Sequence, residues 1–168
     1  MHPYVELAVT AIQTYVREGK KIPLPRPLPE GMAVRSAAFV SIKKQGVLRG
    51  CIGTILPAHP SLAEEIIENS ISSATRDTRF PPVGPDELGA LTVSVDVLSP
   101  PEPVASVAEL DAKKYGVIVQ SGSRRGLLLP DIEGVDTPEE QVAICRRKGG
   151  IGTEEEISLQ KFTVTRYR

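Results

Sequence analysis

The chain contains few of the residues on which metal and nucleic-acid sites depend. Its 168 residues include no tryptophan, two histidines and two cysteines, and aromatic residues make up 4% of the total. A surface that stacks nucleic-acid bases needs aromatic side chains, so such a surface is not expected. The histidines and cysteines are not at zinc-ligand spacing, and no dinucleotide or phosphate-loop motif is present. We therefore predict no cofactor and no metal, while an oxygen-only magnesium site stays open.

The chain also lacks a strong charge of either sign and a long apolar run. Its net charge is -1, so no overall electrostatic field attracts it to nucleic acid or to an anionic membrane. No apolar stretch approaches the length that crosses a bilayer, and the N-terminus shows no signal-peptide core. Two cysteines far apart in the chain are not a disulfide framework, which favours a reducing compartment. These absences predict a cytoplasmic protein that binds neither nucleic acid nor a membrane.

Periodic patterns along the chain predict an α+β fold. Helices are predicted from Pro3 to about Arg17, after the capping box of Ser61 and Glu64, and from Thr137 to Gly149. The second helix is assigned a polar face at positions 69, 70, 72 and 73. Because most strands follow one another as hairpins and helices are inserted irregularly, we predict a largely antiparallel sheet flanked by helices. The predicted strands are 37–43, 47–55, 91–98, 117–120, 127–129 and 157–167.

One predicted strand is interrupted by two glycines on either side of a cysteine. The period of two puts Arg49, Cys51 and Gly53 on one face of this strand. Glycine in a strand often marks a close approach by another backbone or by a ligand. A nearby cation such as Arg49 favours a reactive thiolate, and His59 is the histidine available as a base. A buried structural cysteine is the alternative, and it is the one that the residue chemistry alone favours.

A second cluster, Arg76-Asp77-Thr78-Arg79-Phe80-Pro81-Pro82, lies where the second helix is predicted to end. An arginine fork suits a carboxylate or phosphate, so the cluster could hold a polar ligand group. The structural alternative is that the arginines complement the helix dipole and that Asp77 pairs with one of them.

The two motifs together, Leu48-Arg49-Gly50-Cys51-Ile52-Gly53 and Asp77-Thr78-Arg79-Phe80-Pro81-Pro82, resemble the AMMECR domain family. Its prokaryotic members are called AmmeMemoRadiSam system protein A. The likeness covers nearly the whole chain. It implies a two-lobed fold, with a larger lobe of about residues 1–99 and 136–168 and a smaller lobe of about residues 100–135.

The resemblance also implies partners and a site. Prokaryotic members of the family are associated with a Memo-type protein and a radical S-adenosylmethionine enzyme, so this chain is expected to be a companion component of such a modification system. The Cys51 strand leads through one loop into the helix that ends at Asp77, so the two motifs are expected to meet in a cleft between the lobes that binds a small polar ligand or a peptide segment of a partner. The residues expected to line this cleft are Arg49, Cys51, Asp77 and Arg79. The residues expected to contact the ligand are Gly50, Gly53, Asn69, Arg79 and Phe80.

Three hypotheses about this site stay open at the level of sequence. In an enzyme, Cys51 is the nucleophile, Arg49 orients it, and His59 or Asp77 accepts the proton. In a non-catalytic interaction or scaffold module, Cys51 is only structural and the arginines contact the partner. In a purely structural version, the glycines serve the packing of the lobes, and replacing Gly50 by alanine lowers stability without affecting any binding.

Overall fold

The computed structural model describes all residues from Met1 to Arg168 and contains three α-helices. Helix α1 spans Pro3–Glu18, with proline in its first turn and Gly19 in the left-handed conformation after its last residue. Helix α2 spans Leu62–Thr75, and Ser61 caps it by accepting the main-chain N–H of Glu64. Helix α3 spans Pro138–Gly149. None of these helices is long and apolar enough to cross a membrane.

Eight strands form two antiparallel four-stranded sheets. The first sheet has the order β2-β1-β3-β8, and the second has the order β4-β7-β5-β6. This arrangement of sheets and helices confirms the predicted α+β class. The strands are β1 Ala37–Lys44, β2 Val47–Gly53, β3 Leu91–Leu98, β4 Glu102–Val104, β5 Gly116–Ser121, β6 Arg124–Leu128, β7 Ser158–Phe162 and β8 Val164–Tyr167.

The chain divides into two compact units, each with its own apolar core. The first unit comprises Met1–Leu98 and Thr165–Arg168, and the second comprises Ser99–Val164. In the first, buried residues of α1 and α2 pack with the inward side chains of β1 and β3. In the second, α3 packs on β5 and β6. The sequence places residues 136–164 in the larger lobe, whereas in the structure α3 and β7 pack within the second unit.

Two local features of the structure differ from the expectations of the sequence. The single strand predicted at 157–167 is two strands in different sheets, because β7 pairs with β4 and β5 while β8 lies beside β3. The predicted polar face of α2 is largely buried, since Asn69, Ser70 and Ser73 are at most 5% exposed. Asn69 and Ser73 lie against the strands of the first sheet and bond their main chain.

Candidate functional site

Strand β2 lies at the edge of the first sheet, and the main chain of Cys51 is bonded there by two side chains. The N–H of Cys51 donates to Asp77 Oδ2 at 2.9 Å, and its carbonyl accepts from Arg79 Nη2 at 3.4 Å. Asp77 and Arg79 thus supply an acceptor and a donor of the kind that a neighbouring strand would supply. Unpaired edges invite pairing with other chains, so this contact also covers part of an exposed edge.

Asp77 is the buried centre of this arrangement, with 5% of its surface exposed. Besides the N–H of Cys51, its carboxylate accepts the main-chain N–H of Arg79 at 3.1 Å and two guanidinium N–H groups at 3.0 and 2.8 Å. The hydrogen-bonded guanidinium of Arg79 holds the pKa of the Asp77 carboxyl well below its usual range, against the opposing effect of burial. At neutral pH Asp77 is therefore an anion whose oxygens are already bonded.

Arg79 has one bonded edge and an exposed side chain. Its side chain is 57% exposed, and its guanidinium lies 5.4 Å from the centre of the Phe80 ring. Bonding to Asp77 raises the pKa of the Arg79 guanidinium further above its already high value. The guanidinium of Arg79 is therefore permanently charged and held in a fixed orientation at the surface of the first unit, with Asp77 as its counter-ion.

Arg49 bonds a different set of groups from those expected. Its guanidinium forks onto both oxygens of Glu87 at 3.0 Å each, and donates to the carbonyls of Pro81 at 2.8 Å and Pro82 at 3.3 Å. Bonding to Arg49 lowers the pKa of Glu87 to about 2, helped by the N–H of Gly84 and by Lys44. Arg49 therefore ties the Pro81-Pro82 segment to β2, and its side-chain hydrogen bonds go to these groups and not to the thiol.

The thiol of Cys51 has one hydrogen-bond partner. Cys51 is half-buried, and its Sγ lies 3.1 Å from Ser41 Oγ on β1, where either atom can donate. The imidazole of His59 makes no hydrogen bond, while the main-chain N–H of His59 donates to Glu65 Oε1 at 2.7 Å. Neither histidine nor carboxylate is hydrogen-bonded to the Cys51 sulfur.

Both glycines of the motif are explained by close packing inside the first unit. A Cβ at Gly50 would lie 2.1 Å from the carbonyl oxygen of Ser73 on α2. A Cβ at Gly53 would lie 2.2 Å from Cγ of Phe39 on the neighbouring strand. These are the close approaches of backbone and side chain that a glycine in a strand permits.

The remaining site prediction, Asn69, belongs to a buried polar row on α2 that sequence reasoning missed in part. Asn69 Nδ2 donates to the carbonyl of Ala38 at 2.9 Å, and Ser73 Oγ accepts the N–H of Ile52 at 2.8 Å. Glu65 is fully buried and accepts from Thr54 and from two loop N–H groups. Glu65, Asn69 and Ser73 recur at four-residue spacing, which is the helical signal that could have revealed the row.

The second cysteine, Cys145, is completely buried in α3 and its thiol faces the carbonyl of Val117 at 3.7 Å. Burial raises the pKa of this thiol to about 11. In addition, no group of three or more His, Cys, Asp or Glu side chains is arranged to hold a metal ion.

The fold and the two motifs define a member of a known domain family. The AMMECR1 family model matches residues 5–168, and the chain belongs to that family. A protein of Thermotoga maritima is 56% identical over 99% of this chain and 98% of its own length. A Clostridium acetobutylicum protein is 48% identical over 99% of this chain, which spans only 36% of that longer protein.

A solved structure supports the fold. The crystal structure of an uncharacterized Pyrococcus horikoshii protein matches with a TM-score of 0.86 and 35% identity, covering 97% of this chain and 88% of that one. The resemblance noted in the two motifs is thereby confirmed at the level of family and fold.

Proposed function

We propose that this chain is a non-catalytic binding component of a modification system of the kind formed by Memo-type and radical S-adenosylmethionine proteins. The observation that carries the proposal is the state of Arg79, whose exposed guanidinium is fixed by buried Asp77 at 2.8 Å. A guanidinium that is already oriented loses little freedom on binding, which favours capture of a carboxylate on a partner segment or a small polar ligand.

The family and its longer relative support a role as a component. The chain spans 36% of the Clostridium relative, so a domain of this family occurs there within a much longer protein. A domain that is joined to other sequence in one organism is a reasonable candidate for physical association in another. The association with Memo-type and radical S-adenosylmethionine proteins is inferred from the family resemblance and is part of the proposal.

The catalytic alternative rests on one observation, which is that Cys51 is half-buried with its sulfur 3.1 Å from Ser41 Oγ. A thiol nucleophile normally has a base in hydrogen-bond reach or a lowered pKa. No base is bonded to the sulfur, and the oxygens of Asp77 are bonded to the N–H of Cys51 and to Arg79. This geometry favours binding over catalysis.

Alkylation with iodoacetamide separates the two functions. In the native protein at neutral pH, buried Cys145 is protected, so the rate of labelling reports on Cys51 alone. We expect Cys51 to react no faster than a free thiol of comparable exposure. A rate enhanced about tenfold or more, as expected of a cysteine activated to its thiolate, would instead favour the enzyme.

Binding is tested with a purified Memo-type protein and a purified radical S-adenosylmethionine protein. We expect Arg79→Lys, which keeps the charge but removes the fork, to weaken the complex, and Cys51→Ser to leave it intact. Arg76→Lys is the matched control, because Arg76 is an exposed arginine at the same helix end whose side chain bonds only Ser72. Equal binding by Arg79→Lys and the unmodified chain would contradict the proposal.

A further inference from the structure

Three cationic residues meet three hydroxyl residues on one face of the first sheet. They line a pocket of about 160 Å³, which is distinct from the Asp77–Arg79 contact. Neither Arg79 nor Cys51 lines it. The cationic residues are Lys43, Arg166 and Arg168, and the hydroxyl residues are Ser41, Thr92 and Ser94.

Strand pairing explains why the hydroxyls converge. Ser41 on β1 is paired with Ser94 on β3, and Lys43 is paired with Thr92. Positions two apart on a strand share a face, so all four residues lie on the same side of the sheet. The intervening positions on β1, such as Ile42, are buried in the core against the helices. The pocket therefore lies on the sheet face that the helices do not cover.

The pocket lining carries positive charge and no acidic side chain. Arg166 is held by both oxygens of Asp96 at 2.7 Å, and Asp96 itself is only 2% exposed. Lys43 forms no salt bridge, in contrast to its neighbour Lys44, which pairs with Glu87 at 3.1 Å. One cation is thus fixed by a buried carboxylate, while the charge of Lys43 is uncompensated.

We propose that this pocket binds a small phosphate-type oxyanion, either inorganic phosphate or the phosphate group of a monoester. A tetrahedral anion accepts hydrogen bonds on several sides, which matches hydroxyls from two strands and cations on β1 and β8. A volume of about 160 Å³ is roughly that of five water molecules in the liquid. That space accommodates one such group. The proposal is independent of the function assigned to Arg79.

The test is a titration of the full chain with inorganic phosphate at low ionic strength. Binding is measured by isothermal calorimetry and by the changes in amide chemical shift in the NMR spectrum of ¹⁵N-labelled protein. We expect saturable binding with the largest shifts at Ser41, Thr92 and Ser94. Lys43→Gln is expected to weaken affinity about tenfold, which is typical of one lost charge-assisted hydrogen bond. The matched control Lys20→Gln removes the same charge from an exposed lysine outside the pocket. We expect it to change the affinity less than about twofold, because salt screens the interaction between a distant surface charge and the bound anion.

Two outcomes would overturn the proposal: no saturable binding at millimolar phosphate, or equal losses in Lys43→Gln and Lys20→Gln. If Arg79→Lys abolishes phosphate binding and Lys43→Gln does not, the anion binds at the other surface, so this proposal fails while the proposed function stands. Phenyl phosphate distinguishes the two sources of the anion. Tighter binding of phenyl phosphate than of inorganic phosphate assigns the pocket to a monoester, and equal binding assigns it to the free anion.

Discussion

Asp77 Oδ2 accepts the main-chain N–H of Cys51 at 2.9 Å across 26 positions of sequence. This bond is one of several that join the two motifs, because Arg79 also donates to the carbonyl of Cys51 and Arg49 donates to the carbonyls of Pro81 and Pro82. It also places the carboxylate on the backbone of the cysteine and not on its sulfur. The juxtaposition of the motifs is therefore explained first by the architecture of the sheet edge, and any binding function uses what that architecture leaves exposed.

Asp77→Asn is expected to destabilise the fold by about 2 to 3 kcal/mol, the scale of lost hydrogen bonds to a charged group. The amide retains one acceptor oxygen but turns an N–H₂ group toward the donors of Arg79 and Cys51. Denaturant unfolding measures the change in free energy. Asp86→Asn is the control, because Asp86 is exposed and its side chain forms no salt bridge and no hydrogen bond. Equal stability of the two variants would show that the Asp77 contact contributes little.

The stability of the first unit is expected to fall in acid. The pKa of Glu87 is lowered from 4.5 to about 2, and that of Asp77 is lowered from its usual 3.8. Since the unfolded chain takes up protons first as the pH falls, this stabilisation is complete above about pH 4.5 and is lost as the pH falls through the folded pKa values.

Unfolding free energies measured between pH 7 and pH 2.5 test this dependence. Glu87→Gln is expected to flatten the curve below pH 4.5, because it removes one of the two titrating groups. Glu133→Gln, at an exposed position of the second unit, is the matched control. A Glu87→Gln curve parallel to that of the unmodified chain would contradict the role of Glu87.

Local patterns predicted much of the secondary structure because they act over a few residues. Pro3 and Gly19 bound α1, and the Ser61 cap begins α2, as short-range capping requires. The break at Thr163 between β7 and β8 could not be predicted from such local patterns. The N–H of Thr163 donates to Ser99 Oγ across 64 positions, and the alternation on both sides of it looks like one strand.

The contacts of the predicted site residues could not be read from the sequence. Cys51, Asp77 and Arg79 are bonded to one another, yet the partner of Arg49 is Glu87, 38 positions away and without any motif of its own. Likewise, glycine is required at position 50 because the carbonyl of Ser73 lies too close for a Cβ, and only the packing of α2 on β2 reveals this contact. Contacts between distant elements depend on tertiary packing, which single-sequence patterns do not encode.

Gly50→Ala is expected to cost about 1 to 3 kcal/mol, the usual range for overpacking. Its Cβ would lie 2.1 Å from the Ser73 carbonyl oxygen, and a backbone atom cannot rotate away, so α2 must shift from β2. Thermal and denaturant unfolding measure the loss. Gly89→Ala is the control, because a Cβ at Gly89 meets nothing within 4 Å. If the two variants are equally stable, the close approach of α2 does not explain the first glycine of the motif.

Glu65→Gln is expected to destabilise the chain by about 3 kcal/mol, because it disrupts a completely buried polar centre. The Glu65 carboxylate accepts from Thr54 Oγ1 at 2.9 Å, from His59 N at 2.7 Å and from the N–H of Ala58. A glutamine offers one acceptor oxygen and points its N–H₂ group at donors. The loop between β2 and α2 should therefore loosen, and the amides of Ala58 and His59 should exchange with deuterium faster.

The control for this change is Glu68→Gln, one turn further along α2, where the glutamate pairs with exposed Lys21. A pair of this kind contributes about 0 to 1 kcal/mol, so Glu68→Gln should be close to the unmodified chain in stability. Because Glu65, unlike Glu68, bonds the segment that carries the chain from β2 into α2, only Glu65→Gln should accelerate amide exchange there. Unchanged exchange at Ala58 and His59 in Glu65→Gln would show that packing alone holds this loop.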